Sequence, residues 1–338
     1  MSQALADSID AAAAKSSAGA GSRAWPHRHL LDTDVLTWPQ IELVMDTAEA
    51  MAEIVGRRRP RSEALRGVGV TNLFYEASTR TRVSFEVAAK HLSADVVNVT
   101  AGGSSVEKGE SLLDTMRTLE ALGARVLVIR HATSGAPYLV AREFGGSVIN
   151  AGDGRHAHPT QALLDLYTLR RHLPGASLLG RKIVILGDVL HSRVARSNLW
   201  TLTAAGADVW ICGPATLLRG FDAWAAAGVG GSRRFTVTSD IATALRDADA
   251  VMALRIQQER MAAGLLPSLH EYAAAFGLTA ERLALAAGGC LVLHPGPMNE
   301  GVEIAPDVAR GPRSLVTEQV RNGVPIRMAI LSLVTSVE

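Results

Sequence analysis

Short apolar runs rich in β-branched residues alternate with helical stretches along most of this chain, and that alternation constrains the fold more than any other feature. In the first half the runs cover residues 68–74, 95–100, 125–130 and 146–152. In the second half they cover residues 182–188, 207–213, 234–238, 248–255 and 290–297. Apolar strands separated by helices are typical of parallel sheets covered on both faces. The pattern therefore predicts an α/β fold.

A long helical stretch from residue 160 separates the two series of strands and indicates two domains. A chain of 338 residues is too long for one ordinary hydrophobic core. We expect two domains, each an open parallel sheet with helices on both faces, over residues 27–160 and 161–315. The C-terminal segment 316–338 predicts a helix that is interrupted near residues 323–325. Residues 1–26, rich in Ala, Ser and Gly, predict a disordered tail.

Charge and cysteine content exclude several classes of function. The 34 basic and 33 acidic residues give a net charge of +1, which leaves no broad positive field to attract nucleic acid. No apolar stretch approaches the ~20 residues of a membrane span, and the N-terminus lacks a signal-peptide pattern. Cys212 and Cys290 have no CxxC spacing and predict buried thiols in a reducing compartment. We therefore expect a cytoplasmic protein with no nucleic-acid or membrane partner.

Residues 78–82 concentrate hydroxyl and guanidinium side chains directly after the first predicted strand. A helix that opens at Ser78 would aim its first backbone N–H groups at one point, where the helix dipole also favours an anion. Ser78, Thr79 and Thr81 add hydroxyl donors, and Arg80 adds a fork that suits phosphate oxygens. The segment therefore predicts a phosphate site, with an N-cap followed by surface arginines as the structural alternative. The nucleotide patterns GxxxxGK(S/T) and GxGxxG are absent.

Other candidate residues follow the carboxyl ends of predicted strands, where parallel sheets place their ligand crevices. Arg130 and Arg255 each end an apolar strand. His158 and Gln161 lie three residues apart at the start of the long helix, on one face of it. His158 also fits a capping or buried histidine. No second ligand lies at a metal spacing from His158, so the sequence implies no metal and no cofactor.

Six segments carry a resemblance to a known family: FYEASTRTR, VIRH, HPTQ, GDVLHSRVARSN, RIQQER and HPGPMNEGVEI. Their order and spacing resemble the carbamoyltransferase family from about residue 27 to the C-terminus. The last two segments are similar to the aspartate branch of that family. The resemblance implies transfer of the carbamoyl group of carbamoyl phosphate to the α-amine of L-aspartate, an early step of pyrimidine synthesis. It implies direct attack, without a covalent enzyme intermediate.

The resemblance also implies which residues bind carbamoyl phosphate. Residues 27–160, completed by the C-terminal helix 316–338, would form the domain that binds it. Ser78, Thr79, Arg80 and Thr81 would hold the phosphate; Thr81, Arg130 and His158 would polarise the carbonyl oxygen; Gln161, Gly296 and Pro297 would contact the carbamoyl amine. The implied catalytic set is Arg80, Thr81, Lys108, Arg130 and His158.

Residues 161–315 are implied to form the aspartate-binding domain. Arg193 and Arg255 would grip the two carboxylates of aspartate, with Gln257 beside them. Glu76, from the first domain, would pair with Arg193 and Arg260 when the domains close.

The resemblance also implies a homotrimer with shared active sites, to which the Gly-rich segment AGGSSVEKGE contributes. In members of the family, the residues that match Ser104 and Lys108 reach into the site of a neighbouring subunit. Lys108 would contact both substrates there. A higher assembly, with dihydroorotase or with a regulatory chain, is left open by the sequence.

Two alternative functions remain at this point. Ornithine carbamoyltransferases share STRTR but carry HCLP and SMG segments, whereas this chain has HPGP at 294–297 and no SMG. Two arginines facing the second substrate would also repel the side-chain cation of ornithine. A non-catalytic scaffold that partners another enzyme of the pathway is the second alternative. It predicts lost site residues, and the matched positions are intact.

Overall fold

The computed structural model describes residues 24–100, 111–229, 234–261 and 264–337. The chain forms two compact units: unit 1 comprises Met1–Leu163 and Arg321–Glu338, and unit 2 comprises Leu164–Val320. The sequence predicts divisions after residues 160 and 315, whereas the units divide after residues 163 and 320. Both divisions fall inside helices, where no loop or composition change marks them in the sequence.

Each unit contains one parallel sheet. Unit 1 has β1 (Gly69–Phe74), β2 (Asp95–Thr100), β3 (Ala124–His131) and β4 (Ser147–Asp153), in the order β2-β1-β3-β4. Unit 2 has β5 (Lys182–Leu186), β6 (Asp208–Cys212), β7 (Thr236–Thr238), β8 (Ala250–Ala253) and β9 (Leu291–Leu293), in the order β7-β6-β5-β8-β9. Strands β1, β4, β5 and β8 are buried at nearly every position, so both faces of the two sheets are covered there. The predicted α/β fold is confirmed.

Helices provide the crossovers that parallel strands require. They are α1 (Trp38–Val55), α2 (Thr79–His91), α3 (Leu112–Ala121), α4 (Ala136–Ala141), α5 (Pro159–His172), α6 (Arg193–Ala204), α7 (Phe221–Ala227), α8 (Ile241–Leu245), α9 (Leu269–Phe276), α10 (Ala280–Leu283), α11 (Pro306–Ala309) and α12 (Val316–Thr335). Short 3-10 turns cover Pro174–Ala176, Ala215–Leu217 and Gln258–Arg260. Within the described ranges, none of these helices has both the length and the hydropathy needed to span a bilayer.

The strand order reverses direction once in each sheet. In unit 1 the reversal lies between β1 and β3, where Phe74 is opposite Arg130 and the Tyr75 N–H donates to the Arg130 carbonyl at 2.9 Å. In unit 2 it lies between β5 and β8, where Leu186 is opposite Ala253. Open α/β sheets bind ligands beyond the carboxyl ends of the strands at such a reversal. Each unit therefore has one favoured binding edge.

The predicted interruption of the C-terminal helix is not observed, since α12 runs continuously through Pro325. A proline inside a helix removes one backbone hydrogen bond and crowds the preceding turn. The apolar residues that follow it, Ile326, Met328, Ala329, Ile330 and Leu331, are fully buried. The burial of these side chains stabilises the helix by more than the proline destabilises it. The local sequence shows the proline but does not show this burial.

Candidate active site

The N-terminus of α2 forms the predicted anion-binding segment. Ser78 has an extended backbone, with φ −161°, and its Oγ accepts the Thr81 N–H at 3.4 Å. Thr81 is buried, whereas Thr79 and Arg80 are exposed. The helix therefore opens at Ser78 as predicted, so its positive dipole end and first backbone N–H groups belong to the segment that follows β1.

Arg130 spans the carboxyl ends of three strands. It lies near the end of β3, and its Nη2 donates to Glu76 Oε1, just after β1, at 2.6 Å. Its Nη1 donates to the Ala151 carbonyl in β4 at 3.3 Å. The Arg130 side chain is 13% exposed, so these contacts hold the guanidinium in place beside the reversal of strand order. The predicted pairing of Glu76 with Arg193 and Arg260 stays a prediction, because those arginines belong to unit 2.

His158 and Gln161 stand at the start of α5. The His158 side chain is buried, and its carbonyl accepts the Gln161 N–H at 3.0 Å, which places both residues in the first turn. The turn that precedes them is organised by the Asp153 carboxylate, which is fully buried at the end of β4. Burial by itself would raise the pKa of Asp153, but hydrogen bonds from His156, Asn150 and Gly135 outweigh it and lower that pKa. Asp153 is therefore held as a carboxylate.

A second buried carboxylate, Asp188, follows β5 in unit 2. Its Oδ1 accepts the His191 Nδ1–H at 2.8 Å and the His191 N–H at 3.2 Å. Its Oδ2 accepts the Gln257 N–H at 3.2 Å. Asp188 therefore joins the two segments that carry the predicted aspartate ligands Arg193 and Arg255.

Arg193 opens α6, two residues after His191. Ser192 caps the helix by accepting the Ala195 N–H at 3.1 Å, and the Arg193 side chain is buried, at 5% exposure. Gly187 precedes this segment with φ +124°, and a Cβ there would lie 2.9 Å from Tyr272 Oη and 3.0 Å from the Leu254 carbonyl. Only glycine fits this backbone position, so the strand can turn directly into the segment that ends at Arg193.

Arg255 follows β8 on the other side of the reversal and is half-buried, as is Gln257. Arg260 ends the 3-10 turn, with its N–H donating to the Gln257 carbonyl at 2.9 Å. The neighbouring Ile256 is buried and anchors the segment in unit 2. Asp188 therefore links the segment that leads to Arg193 with the segment that contains Arg255 and Gln257, beyond the carboxyl ends of β5 and β8.

Gly296 and Pro297 lie in the loop that follows β9, with a cis peptide bond between them. The buried His294 side chain accepts the Gly296 N–H at its Nδ1 at 2.8 Å. Because Nδ1 accepts, Nε2 carries the proton and donates to Glu303 Oε1 at 3.1 Å. Glu303 Oε1 also accepts the Asn299 N–H. Hydrogen bonds to the buried His294 and Glu303 side chains therefore hold the backbone of this loop at Gly296 and Asn299.

Ser104 and Lys108 lie outside the described residues, and their implied role in a neighbouring subunit stays a prediction. In the part of the chain that the structure describes, no group of three or more His, Cys, Asp or Glu residues could hold a metal ion. Both cysteines are buried, and burial raises the pKa of each thiol to about 12.

Reasoning from the sequence assigned no role to Asp153 or Asp188. Both follow a glycine at the carboxyl end of a buried strand, as NAGD in β4 and LGD after β5. A Gly-Asp pair in that position is the signal that could have identified them. It predicts a sharp turn with a carboxylate able to accept the backbone N–H groups of the next segment.

Two family descriptions match the chain. They are "Aspartate/ornithine carbamoyltransferase, carbamoyl-P binding domain" over residues 28–171 and "Aspartate/ornithine carbamoyltransferase, Asp/Orn binding domain" over residues 179–334. The aspartate carbamoyltransferase catalytic subunit of Roseiflexus sp. (strain RS-1) is 58% identical over 314 residues, covering 93% of this chain and 97% of that relative. The corresponding subunit of Heliobacterium modesticaldum is 53% identical and covers 92% and 96%.

Solved structures share the fold across both branches of these enzymes. Aspartate transcarbamoylase from Trypanosoma cruzi, in complex with carbamoyl phosphate and aspartate, has a TM-score of 0.78 at 29% identity and covers 91% of this chain and 95% of its own. Ornithine carbamoyltransferase from Pyrococcus furiosus has a TM-score of 0.80 at 26% identity and covers 92% and 97%. Similarity of fold therefore does not distinguish aspartate from ornithine as the second substrate. The residues at the carboxyl edge of the sheet in unit 2 can distinguish them.

Proposed function

The chain belongs to the aspartate/ornithine carbamoyltransferase family, and on that premise we propose that it transfers the carbamoyl group of carbamoyl phosphate to the α-amine of L-aspartate. The products are N-carbamoyl-L-aspartate and phosphate, and the reaction serves pyrimidine synthesis in the cytoplasm. The observation that carries the proposal is the pair of arginines, Arg193 and Arg255, whose segments Asp188 joins at the favoured edge of unit 2.

Charge supports aspartate as the second substrate. Aspartate presents two carboxylates, and two guanidinium groups can each bind one of them through paired N–H donors. Ornithine would instead bring a side-chain ammonium group towards Arg193 and Arg255, at a cost of several kcal/mol for like charges placed together. The unit therefore favours a dicarboxylic amino acid by repulsion as well as by attraction.

Carbamoyl phosphate is assigned to unit 1. The first turn of α2 and the Arg80 guanidinium take its phosphate, while Thr81, Arg130 and His158 donate to its carbonyl oxygen. The α-amine of aspartate attacks the carbamoyl carbon directly, and negative charge grows on that oxygen. The departing phosphate can accept the amine proton, so no enzyme nucleophile is required. The protein's contribution is orientation of both anions and stabilisation of the oxyanion.

His158→Ala is expected to lower kcat at least about tenfold, because it removes one hydrogen-bond donor to the oxyanion. His158→Gln, which can still donate a hydrogen bond, is expected to retain more activity than the alanine variant. Steady-state phosphate release measures both variants, and thermal melting verifies that they fold. Wild-type turnover by His158→Ala would remove His158 from the mechanism.

The assignment is tested with purified protein, carbamoyl phosphate and either L-aspartate or L-ornithine, following phosphate release. We expect turnover with aspartate and background release with ornithine. Turnover with ornithine alone would contradict the choice of substrate. Absence of turnover with both amino acids would favour the non-catalytic scaffold.

A homotrimer with shared active sites completes the proposal. Strand β2 lies at the edge of its sheet and is partly or fully exposed along its length, and Val97 and Val83 are 52% and 43% exposed. Apolar side chains beside an open sheet edge are suited to contact with another copy. Light scattering is expected to give three times the mass of one chain. A trimer-sized particle with no added partner would leave dihydroorotase and a regulatory chain as optional additions.

A further inference from the structure

The Asp153 carboxylate ties together two loops of unit 1. It accepts the Gly135 N–H at 2.6 Å, from the loop between β3 and α4. It also accepts the Ala157 N–H at 3.1 Å, from the residue that immediately precedes His158. Asn150 Nδ2 donates to it at 2.8 Å, within β4. The position of His158 therefore depends on this buried carboxylate.

The turn between Asp153 and His158 is braced against the same neighbouring loop. The Gly154 N–H donates to the His131 carbonyl at 2.9 Å, and the Arg155 N–H donates to Ser134 Oγ at 3.3 Å. Gly154 has φ +44°, and a Cβ there would lie 2.3 Å from Ser134 Oγ. The turn can pack this closely only because residue 154 is glycine.

His156, in the middle of this turn, faces carboxylates through both ring nitrogens. Its Nδ1 donates to Asp153 at 3.2 Å, and its Nε2 lies 3.7 Å from Asp32 Oδ2. Asp153 is fully buried and Asp32 nearly so, whereas the His156 side chain is 40% exposed. The Tyr138 ring stands edge-on to the imidazole with a centroid separation of 5.6 Å. An imidazole between two carboxylates satisfies both of them best when it carries protons on both nitrogens.

We propose that His156 is a positioning residue for His158: as an imidazolium it links Asp153 to Asp32 and holds the turn in the arrangement that binds carbamoyl phosphate. The proposal rests on the proposed function for its ligand, although the ion pair itself does not. Neither His156 nor Asp153 is among the residues that are assigned above to contact substrate. The consequence is a dependence of ligand binding on pH that originates outside the reacting groups.

The direction of this dependence follows from the groups around the ring. The hydrogen bond to Asp153 raises the pKa of His156 above 6.5, against desolvation, and the charges of Asp153, Asp32 and Asp34 raise it further. Asp32 and Asp34 belong to the segment before α1, Asp153 to β4, and Tyr138, whose pKa is itself raised by burial, to α4. The ion pair is fully formed below pH 6.5 and is lost as the pH rises through the elevated pKa.

The first measurement is the NMR titration of the His156 ring in the whole protein, without substrate. We expect its pKa to lie above 6.5 in the wild type and to fall in Asp153→Asn, which keeps the size of the side chain but removes its charge. A His156 pKa at or below 6.5 in the wild type would overturn the proposal. Because this titration needs no activity, its result is independent of whether the proposed reaction is correct.

The second measurement is the affinity for phosphonoacetamide, an unreactive isostere of carbamoyl phosphate, at several pH values. His156→Asn is the test variant, since its amide can still donate to Asp153 but cannot titrate. Wild type is expected to bind about two- to fivefold more tightly than this variant at pH 6, with equal affinity at pH 9, as suits a partly exposed ion pair. The ligand titrates identically in both proteins, so the ratio isolates His156.

Two further variants complete the test. His270→Asn changes an exposed histidine of unit 2 and is expected to follow the wild-type profile. Asp153→Asn is expected to weaken binding at least about tenfold at every pH, because an NH2 group replaces one of two buried oxygens that both accept hydrogen bonds. Superimposable wild-type and His156→Asn profiles would overturn the proposal. Failure of the wild type to bind phosphonoacetamide at all would instead count against the proposed function.

Discussion

Arg130→Ala is expected to lower kcat/KM for carbamoyl transfer about 100- to 1000-fold, the loss typical of removing a preorganised donor to an oxyanion. The guanidinium is held by Glu76 at 2.6 Å and by the Ala151 carbonyl at 3.3 Å. Because those contacts fix its position in advance, little reorganisation is needed as charge develops on the carbonyl oxygen. Steady-state phosphate release, with aspartate at saturation and carbamoyl phosphate varied, measures the loss.

Two comparisons separate chemistry from folding in this experiment. Arg130→Lys keeps the charge but cannot reproduce the planar fork, so its activity should lie between wild type and the alanine variant. Arg117→Ala is the matched control, since Arg117 also pairs with carboxylates, Asp114 and Glu143, but its side chain is exposed at the surface of the same unit. Activity of Arg130→Ala within about threefold of wild type would remove Arg130 from transition-state stabilisation.

Asp188→Ala is expected to raise KM for aspartate about 100-fold or more, with a fall in kcat as well. The variant leaves the His191 ring and two backbone N–H groups without the acceptor that they share. A buried donor without an acceptor costs about 1–3 kcal/mol, and 1.4 kcal/mol corresponds to a factor of ten. The segments of Arg193 and Arg255 would relax away from each other, so the two carboxylates of aspartate would lose their paired ligands.

Phosphonoacetamide binding provides the internal check on Asp188→Ala, because its proposed site in unit 1 should retain most of its affinity. Asp222→Ala, which changes an exposed aspartate on α7, is the matched control and should leave both constants unchanged. Normal KM and kcat in Asp188→Ala would show that its hydrogen bonds do not organise the aspartate ligands. Loss of both ligands together with a lower Tm would indicate general unfolding instead.

Local patterns were sufficient for much of the fold and for part of the site. Short, mostly apolar strands that alternate with helices predicted two parallel sheets, and the hydroxyl cluster at Ser78 predicted the opening of α2. Arg130 and Arg255 could be placed near strand ends, hence near a binding edge, without knowing which strands were neighbours. The path of α12 through Pro325 could not be obtained this way, because burial of its apolar face outweighed the local preference of one residue.

The sequence by itself determined the two α/β units, the helix mouth at Ser78 and the arginines that end strands, because each depends on residues adjacent in the chain or on a short repeat. Only the tertiary structure decided that Arg130 pairs with Glu76, which is 54 residues away in the chain. The same is true of Asp188, which accepts the N–H of Gln257, 69 residues away, as well as the ring N–H of the nearby His191. The same holds for the His156 ring between Asp153 and Asp32. Such contacts depend on strand order and register, which arise from packing of the whole sheet and leave no mark in the local sequence.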